Sequence, residues 1–236
     1  MVGCCPVVEL RQYTLRPGQR DVLVELFDRE FVESQEAAGI ELIGQFRDLD
    51  RPDRFVWLRG FPDMERRQRA LEAFYGGPVW KAHSAAANAT MVDVDDVLLL
   101  RPPTAASGFG PQPPRPAPGA RMPASMVVAT ICSLEGPADV AVVDRELLPA
   151  LATTASPALA TFVEEPSENT FPALPVRTGE HVLVWIQRMG ASEPAADHPR
   201  DEQLRAAAAI ARDLLPNLAA APLQLRLEPT PRSRLR

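Results

Sequence analysis

Three polar side chains near the start of the chain have the types and spacing of a catalytic group. Glu9, Arg11 and Tyr13 alternate with apolar residues, so in a β-strand all three point to the same face. A carboxylate held beside a cation and a phenol can serve as a general base, because its neighbours set its ionisation. The alternative is a network of ion pairs and hydrogen bonds that only satisfies buried polar groups.

A second strand pattern adds to this group and recurs later in the chain. Trp57 and Arg59 alternate with aliphatic residues, and Trp185 and Gln187 do the same about 128 positions further on. The repeat predicts two similar modules. If aliphatic side chains such as Val56 meet helices, then the tryptophans and the polar side chains of both strands face the interior of a barrel. The sequence thus predicts a polar, tryptophan-lined cavity inside that barrel.

The three histidines offer further acid–base or metal-binding groups. His83 follows Trp80 by one helical turn and could act as an acid or base at a pocket rim, or simply pack on the indole. His181 begins the second tryptophan strand, and His198 suits a helix start. Because the three histidines are scattered along the chain, we predict no metal site, and haem ligation by His181 or His198 is disfavoured. The predicted catalytic residues are Glu9, Arg11, Tyr13, Arg59 and His83.

A long, proline-rich loop over residues 164–177 could cover the site. Phe171 and Leu174 offer apolar anchors, while Asn169 and Arg177 are its best polar ligand candidates. Such a loop could close one barrel mouth; a wrap over the other half or a dimer contact is equally consistent with its composition. The predicted substrate-binding residues are Trp57, Trp185, Gln187, His181, Asn169 and Phe171.

Composition narrows the class of protein. The 236 residues carry a net charge of −6, which argues against nucleic acid or an anionic membrane surface as partner. No apolar run approaches the roughly 18 residues of a membrane span. The cysteines, Cys4, Cys5 and Cys132, lack metal or disulfide spacing, and the first residues lack signal-peptide features, so a reduced cytoplasm is expected. No nucleotide, serine-hydrolase or zinc-hydrolase motif occurs, and no cofactor is predicted.

Hydrophobic periodicity predicts two β-α-β-β-α-β units, the ferredoxin-like order. Proline and glycine dominate residues 102–124, which we predict to be a semi-rigid linker between domains 1–101 and 125–236. An antiparallel sheet with helices on one face leaves the other face uncovered. The predicted fold is therefore α+β, with two tandem ferredoxin-like units packed sheet to sheet as an intramolecular dimeric-type α/β barrel. The predicted strands are 7–15, 40–47, 54–61, 91–100, 126–134, 158–165, 182–189 and 222–228, and the helices are 18–38, 63–75, 78–88, 138–153 and 199–215.

Residues 8–18, Val-Glu-Leu-Arg-Gln-Tyr-Thr-Leu-Arg-Pro-Gly, resemble the opening strand and turn of the NIPSNAP family. Residues 78–83 and 97–102 are similar to its closing helix and strand. The resemblance covers about residues 7–102 and implies a tandem-domain bacterial member with a dimeric α/β barrel fold. It supplies no established catalytic residues. Other proteins with this barrel include cofactor-independent monooxygenases, polyketide-tailoring enzymes and the haem-binding chlorite dismutase group. Their similarity to this chain concerns the fold and not the function.

The functional expectation is a small-molecule-binding protein and potentially a cofactor-independent enzyme of the isomerase, cyclase or monooxygenase type, acting on a mostly apolar substrate. The second half lacks the Glu-x-Arg-x-Tyr pattern, so one site per chain is predicted. The alternative is a non-catalytic binding or protein-interaction module, and homodimerisation fits either. A cavity of roughly 300 Å³ or more would favour a ligand, whereas tryptophans filling the barrel would favour a scaffold.

Overall fold

Eight antiparallel strands close into one barrel in the computed structural model. The structure describes residues 5–153, 157–189 and 198–236, with side chains from residue 201 in the last range; Cys4 and the side chain of His198 lie outside. Around the barrel the strand order is β1-β3-β2-β8-β5-β7-β6-β4, and β4 pairs with β1. The strands are β1 Val7–Leu15, β2 Glu41–Asp48, β3 Arg54–Phe61, β4 Met91–Arg101, β5 Met126–Leu134, β6 Ala158–Glu164, β7 His181–Met189 and β8 Leu223–Pro229.

The helices complete a ferredoxin-like order in each half. They are α1 Arg20–Leu26, α2 Val32–Ala37, α3 Met64–Tyr75, α4 Pro78–Thr90, α5 Val140–Val142, α6 Leu148–Ala152 and α7 His198–Leu214. Short π-helical turns join α1 to α2 and α5 to α6. Within the described residues, no helix has the length and apolarity to cross a bilayer.

The two halves have the same sheet order and register, which confirms the predicted repeat. They meet where β2 pairs with β8 and where β4 pairs with β6. Arg11 on β1 lies opposite Trp57 on β3, and Thr130 on β5 lies opposite Trp185 on β7. The two tryptophans therefore occupy equivalent positions, and the tandem ferredoxin-like barrel is confirmed.

Apolar side chains fill the barrel interior, contrary to the predicted arrangement of faces. Val8 and Leu10 from β1 lie in one buried cluster with Val184 and Ile186 from β7, and all eight strands contribute to it. Alternation along each strand then directs Glu9 and its same-face neighbours outward, toward the helices. The prediction of a polar cavity inside the barrel was wrong: the apolar set of each strand is enclosed by the two sheets.

Each half has its own layer of side chains between sheet and helices. Trp57 packs with Phe27 and Phe31 in the N-terminal layer. Trp185 packs with Val143 and with helix α7 in the C-terminal layer. The two tryptophans therefore lie in separate layers and do not share one cavity, which corrects the sequence-based expectation.

Local signals set the helix boundaries near the site. The Asp63 carboxylate accepts a hydrogen bond of 2.6 Å from the Arg66 backbone N–H and caps α3, as its residue type predicts. Pro78 occupies the first turn of α4, where its missing N–H removes no helical hydrogen bond. Gly39 follows α2 with φ of 90°, a conformation that favours glycine.

The π-helical turns were not predicted, and they repeat a sequence. Residues 27–31 and 143–147 both contain Asp-Arg-Glu at the same place in the turn. A π-helical turn widens the helix locally and is frequent at functional sites. In the N-terminal half, this turn leaves both Phe27 and Phe31 buried against the sheet.

Asp28 in the first π-helical turn gives a test by pH. Burial raises the pKa of its carboxyl to about 6, although the charge of Arg232 opposes the shift. The folded state then holds a proton that the unfolded chain releases, so stability falls as pH rises from about 4 through 6. We expect Asp28→Asn to stabilise the protein by about 2 kcal/mol near pH 8 and to have little effect near pH 4, measured by urea unfolding. Asp144→Asn, at the exposed equivalent position, is the control, and equal effects of both variants would contradict the assignment.

Residues 102–124 contain no helix or strand, yet they pack on the barrel. Phe109 enters the barrel core, with its ring centroid 5.3 Å from that of Phe162. Arg115 donates to the Glu36 carboxylate at 3.0 Å. The segment is thus held at one end by apolar contact and further along by an ion pair.

Candidate functional site

A single buried carboxylate organises the site. Glu9 Oε2 accepts hydrogen bonds from Arg11 Nη1 at 2.6 Å and Arg59 Nε at 2.7 Å, and its Oε1 accepts from Arg67 Nε at 2.6 Å. All four side chains are fully buried. We call these four residues the Glu9–arginine cluster. It lies between the N-terminal sheet and helix α3, outside the barrel interior.

The cluster removes Glu9 from the predicted role of general base. Burial alone would raise the pKa of Glu9, but the charges of Arg59, Arg11 and Arg67 outweigh it and hold that pKa well below the ordinary range. Both carboxylate oxygens are also occupied by guanidinium donors. A carboxylate with so little proton affinity is a weak base, so we reassign Glu9 as the anchor that positions the arginines.

Arg67 is a member of the site that the sequence analysis missed. It lies on the same face of α3 as the buried residues Ala70, Leu71 and Phe74. These apolar residues follow Arg67 by three, four and seven positions, which is the spacing of one buried helix face. That spacing was the available signal, because a charged residue on an apolar face needs a buried partner.

Aromatic rings surround the two strand arginines. Arg11 Nε donates to the Tyr13 hydroxyl at 3.0 Å. The Arg59 guanidinium lies 4.9 Å from the centre of the Trp57 ring, within cation–π range. Burial raises the pKa of Tyr13 and the Arg11 charge opposes that shift, so the phenol is neutral at physiological pH.

A cavity of about 80 Å³ lies beside these rings. Tyr13 and Trp57 form the wall that it shares with the Glu9–arginine cluster. Asn88 is exposed and Met91, Val94 and Leu174 are half-buried, so these side chains form its entrance from solvent. The remaining lining residues are Leu23, Phe27, Phe31, Gln35, Phe74, Tyr75 and Trp80.

Two buried polar atoms of this lining have no hydrogen-bond partner among the described residues. They are the donor Trp57 Nε1 and the acceptor Gln35 Oε1. Trp57 and Gln35 are at most 2% exposed. Leaving such groups unpaired costs free energy, so a polar ligand or water in the cavity would relieve that cost.

The loop between β6 and β7, residues 165–180, reaches from the C-terminal half over the site. Arg67 Nη1 donates to Asn169 Oδ1 at 3.0 Å and to Thr170 Oγ1 at 3.2 Å. The Phe171 ring stacks on Tyr75 with centroids 5.8 Å apart, and Leu174 lines the cavity. The sequence left three arrangements of this loop open, and in the structure the loop packs over the N-terminal half. Asn169 and Phe171 hold the loop in place.

The other predicted site residues are not brought to this cavity. His83 Nε2 lies 3.4 Å from Glu30 on the π-helical turn. His181 Nδ1 pairs with Glu164 at 2.7 Å in a separate cleft that Arg177 also lines. Gln187 accepts from Trp185 Nε1 at 3.1 Å in the C-terminal layer. No metal-binding cluster of His, Cys, Asp or Glu occurs in the described part of the chain.

Among its described residues, the C-terminal half has no charged cluster equivalent to the Glu9–arginine cluster. Through the matching strand register, Val128 and Thr130 occupy the positions of Glu9 and Arg11, and Gln187 occupies that of Arg59. Leu147 and Leu151 pack the helix layer in this half. The single site per chain stays a prediction.

Comparison with known proteins identifies the fold of the whole chain and the family of its first half. A monooxygenase-like protein of Lactobacillus acidophilus has a TM-score of 0.52 and 11% identity, covering 95% of this chain and 94% of its own. An anthrone oxidase-like protein has a TM-score of 0.51 and 15% identity, covering 98% and 94%. These likenesses show a shared fold over the whole chain.

A NIPSNAP-like domain protein of Burkholderia xenovorans is 28% identical over 48% of this chain and 95% of its own, with a TM-score of 0.40. No curated protein matches the sequence. The NIPSNAP family model matches residues 8–106, a range that contains β1 to β4 and every residue of the Glu9–arginine cluster. The N-terminal half of this chain is therefore a NIPSNAP domain, built into a single-chain α/β barrel.

Proposed function

We propose that this protein binds a small, mostly apolar organic compound in the cavity of its N-terminal half. The observation that carries the proposal is the pair of buried atoms without a hydrogen-bond partner among the described residues, Trp57 Nε1 and Gln35 Oε1, in a mostly aromatic and aliphatic lining. A ring compound with one oxygen substituent would match both features. The aromatic walls would contact the ring, and the indole N–H would donate to the oxygen.

The volume of the cavity limits what it can hold when closed. One buried water needs about 10–15 Å³ by this kind of measure, so about 80 Å³ admits several waters or one small ring. The cavity is smaller than the roughly 300 Å³ that we expected of a ligand site, since drug-sized ligands occupy cavities of roughly 300–1,000 Å³. A larger substrate would require Leu174 and the β6–β7 loop to move away from the entrance.

Cofactor-independent oxygenation is the reaction that we propose for this site. The substrate enters as the anion that it forms by losing a CH₂ proton to solvent. That carbon adds to O₂, protonation gives a hydroperoxide, and loss of water leaves a carbonyl, so that one CH₂ and one O₂ yield one C=O and one H₂O. This route needs stabilisation of a substrate anion, which Tyr13 backed by Arg11 would provide. Isomerisation and cyclisation are supported less well, because Glu9 is a poor proton acceptor and the described lining of the cavity contains no carboxylate or imidazole.

Removal of one hydrogen-bond donor tests the binding proposal. Trp57→Phe keeps an aromatic ring but loses Nε1, so affinity for a bound hydroxylated aromatic compound is expected to fall about 5- to 10-fold. Native mass spectrometry of freshly purified protein would identify a retained compound, and isothermal titration calorimetry would measure its affinity for the variants.

The matched control is Trp185→Phe. It alters the equivalent tryptophan of the other half, whose Nε1 already donates to Gln187, and the ligand affinity should not change. Equal affinities of the wild type and Trp57→Phe would refute the assigned site. Oxygen uptake with a bound ligand, followed at an oxygen electrode, separates an oxygenase from a binding module that consumes no oxygen.

A further inference from the structure

The Glu9–arginine cluster contains more positive than negative charge. Arg11, Arg59 and Arg67 contribute +3 and Glu9 contributes −1, which leaves a net +2 among four fully buried side chains. Among the described residues, no second carboxylate lies within 4.0 Å of these guanidinium groups. Buried charge of one sign is unfavourable unless a counter-charge compensates it.

The unpaired hydrogen-bond donors of the arginines also indicate that the cluster lacks negative charge. A guanidinium has five N–H groups, and in each of the three arginines the buried Nη2 has no hydrogen-bond partner in the described structure. Arg59 Nη2 lies 2.7 Å from Glu9 Oε2 but is not aligned for a hydrogen bond. The neutral groups that contact the cluster, Tyr13, Tyr75, Asn169 and Thr170, add dipoles but no charge.

The excess charge adjoins the proposed ligand cavity. Tyr13 lines the cavity and accepts from Arg11, and Tyr75 lines it and accepts from Arg59 Nη1 at 3.5 Å. Trp57 is the third side chain between the cavity and the cluster, and its ring lies under both Arg11 and Arg59. An anion in the cavity would therefore be separated from two guanidinium groups by one layer of aromatic side chains.

We propose that the cavity selects an anionic ring compound, with a carboxylate or an ionised hydroxyl that accepts hydrogen bonds from Tyr13 and Tyr75 as well as from Trp57 Nε1. This inference rests on the proposed function and adds the charge of the ligand. The two tyrosine hydroxyls donate to the anionic oxygen, and Arg11 and Arg59 supply its counter-charge from behind. Arg67 holds the β6–β7 loop through Asn169, so the third cation links the cluster to the cover of the site.

Titration of a coloured phenol measures the preference directly. 4-Nitrophenol changes its absorption when it ionises, so its pKa can be followed free and bound to the whole protein. We expect the anion to bind at least about tenfold more tightly than the neutral phenol, which lowers the bound pKa by one unit or more. Benzoate and its neutral analogue benzamide, compared by calorimetry, test whether a carboxylate is preferred in the same way.

Variants test whether the arginines cause the pKa shift of bound 4-nitrophenol. Arg59→Met leaves the cluster with a net +1, so Glu9 keeps two partners, and the pKa shift of bound 4-nitrophenol should be at most half that of the wild type. Arg11→Met gives a second test if the first variant does not fold. Arg69→Met, at an exposed position of α3, should leave the shift unchanged.

The outcomes separate this inference from the proposed function. If 4-nitrophenol and its neutral methyl ether, 4-nitroanisole, bind equally well, the anion preference is wrong while the binding site stands. If neither these probes nor the benzoate pair bind, both proposals fail. An unshifted pKa for bound 4-nitrophenol, or a shift that survives in both Arg59→Met and Arg11→Met, overturns the role of the arginines.

Discussion

Replacing Glu9 by glutamine is expected to destabilise the protein by about 3–5 kcal/mol, the cost of removing one partner from a buried ion pair. The variant would leave Arg11, Arg59 and Arg67 with three buried positive charges and no carboxylate. Glutamine can still accept hydrogen bonds but carries no charge. Urea unfolding followed by circular dichroism at neutral pH measures the change in free energy of unfolding.

Acid should reduce the difference between the wild type and this variant. The arginines hold the pKa of Glu9 below its unfolded value, so its stabilising contribution is complete above about pH 4.3 and decreases as pH falls below that value. Glu65→Gln is the control, because Glu65 pairs with Arg69 at the surface and should change stability by less than about 0.5 kcal/mol. A Glu9→Gln variant as stable as this control would show that the cluster does not depend on its carboxylate.

Truncating Phe162 to alanine is expected to cost about 3–5 kcal/mol of stability. Phe162 is fully buried in the barrel core and contacts Phe109 from the connecting segment. Its removal would leave a cavity where the two sheets meet. Thermal and urea unfolding would measure the loss, and the affinity of a ligand in the N-terminal cavity should change little.

The control for this prediction is on the same strand. Leu159→Ala changes a side chain that is 36% exposed, and its effect on stability should be less than about 1 kcal/mol. If Phe162→Ala lowered the free energy of unfolding by less than about 1 kcal/mol, the barrel interior would tolerate an empty cavity. Ligand binding by the barrel would then need to be considered again.

Both halves of the chain contribute residues to the candidate site. The cavity and the Glu9–arginine cluster belong to the NIPSNAP domain, but the β6–β7 loop that contacts Arg67 and Tyr75 comes from the C-terminal half. The second half has the same fold with apolar or neutral residues at the corresponding positions. The two halves therefore contribute unequally: the first holds the candidate site, and the second supplies the loop that covers it.

The sequence by itself determined the elements and their order. Strands of period two, proline and glycine breaks and the Asp63 cap are local signals, and β1, β3 and β5 have the predicted bounds. The repeat of the tryptophan strand predicted two similar modules, and the hydrophobic periodicity of each half predicted the ferredoxin-like order. The same alternation placed Glu9, Arg11, Tyr13 and Arg59 together on one face, because that grouping depends only on neighbouring strands in register.

Only the tertiary structure decided which face is enclosed and which side chains meet. Period-two alternation defines two faces of a strand but does not say which one closes against the second sheet, and this is why the predicted interior was reversed. Arg67, Gln35 and Tyr75 join the site from helices far along the chain, and Trp185 and His181 are kept from it by the barrel and the loop. These contacts depend on how the sheets close and the helices cover them, which is a property of long-range packing.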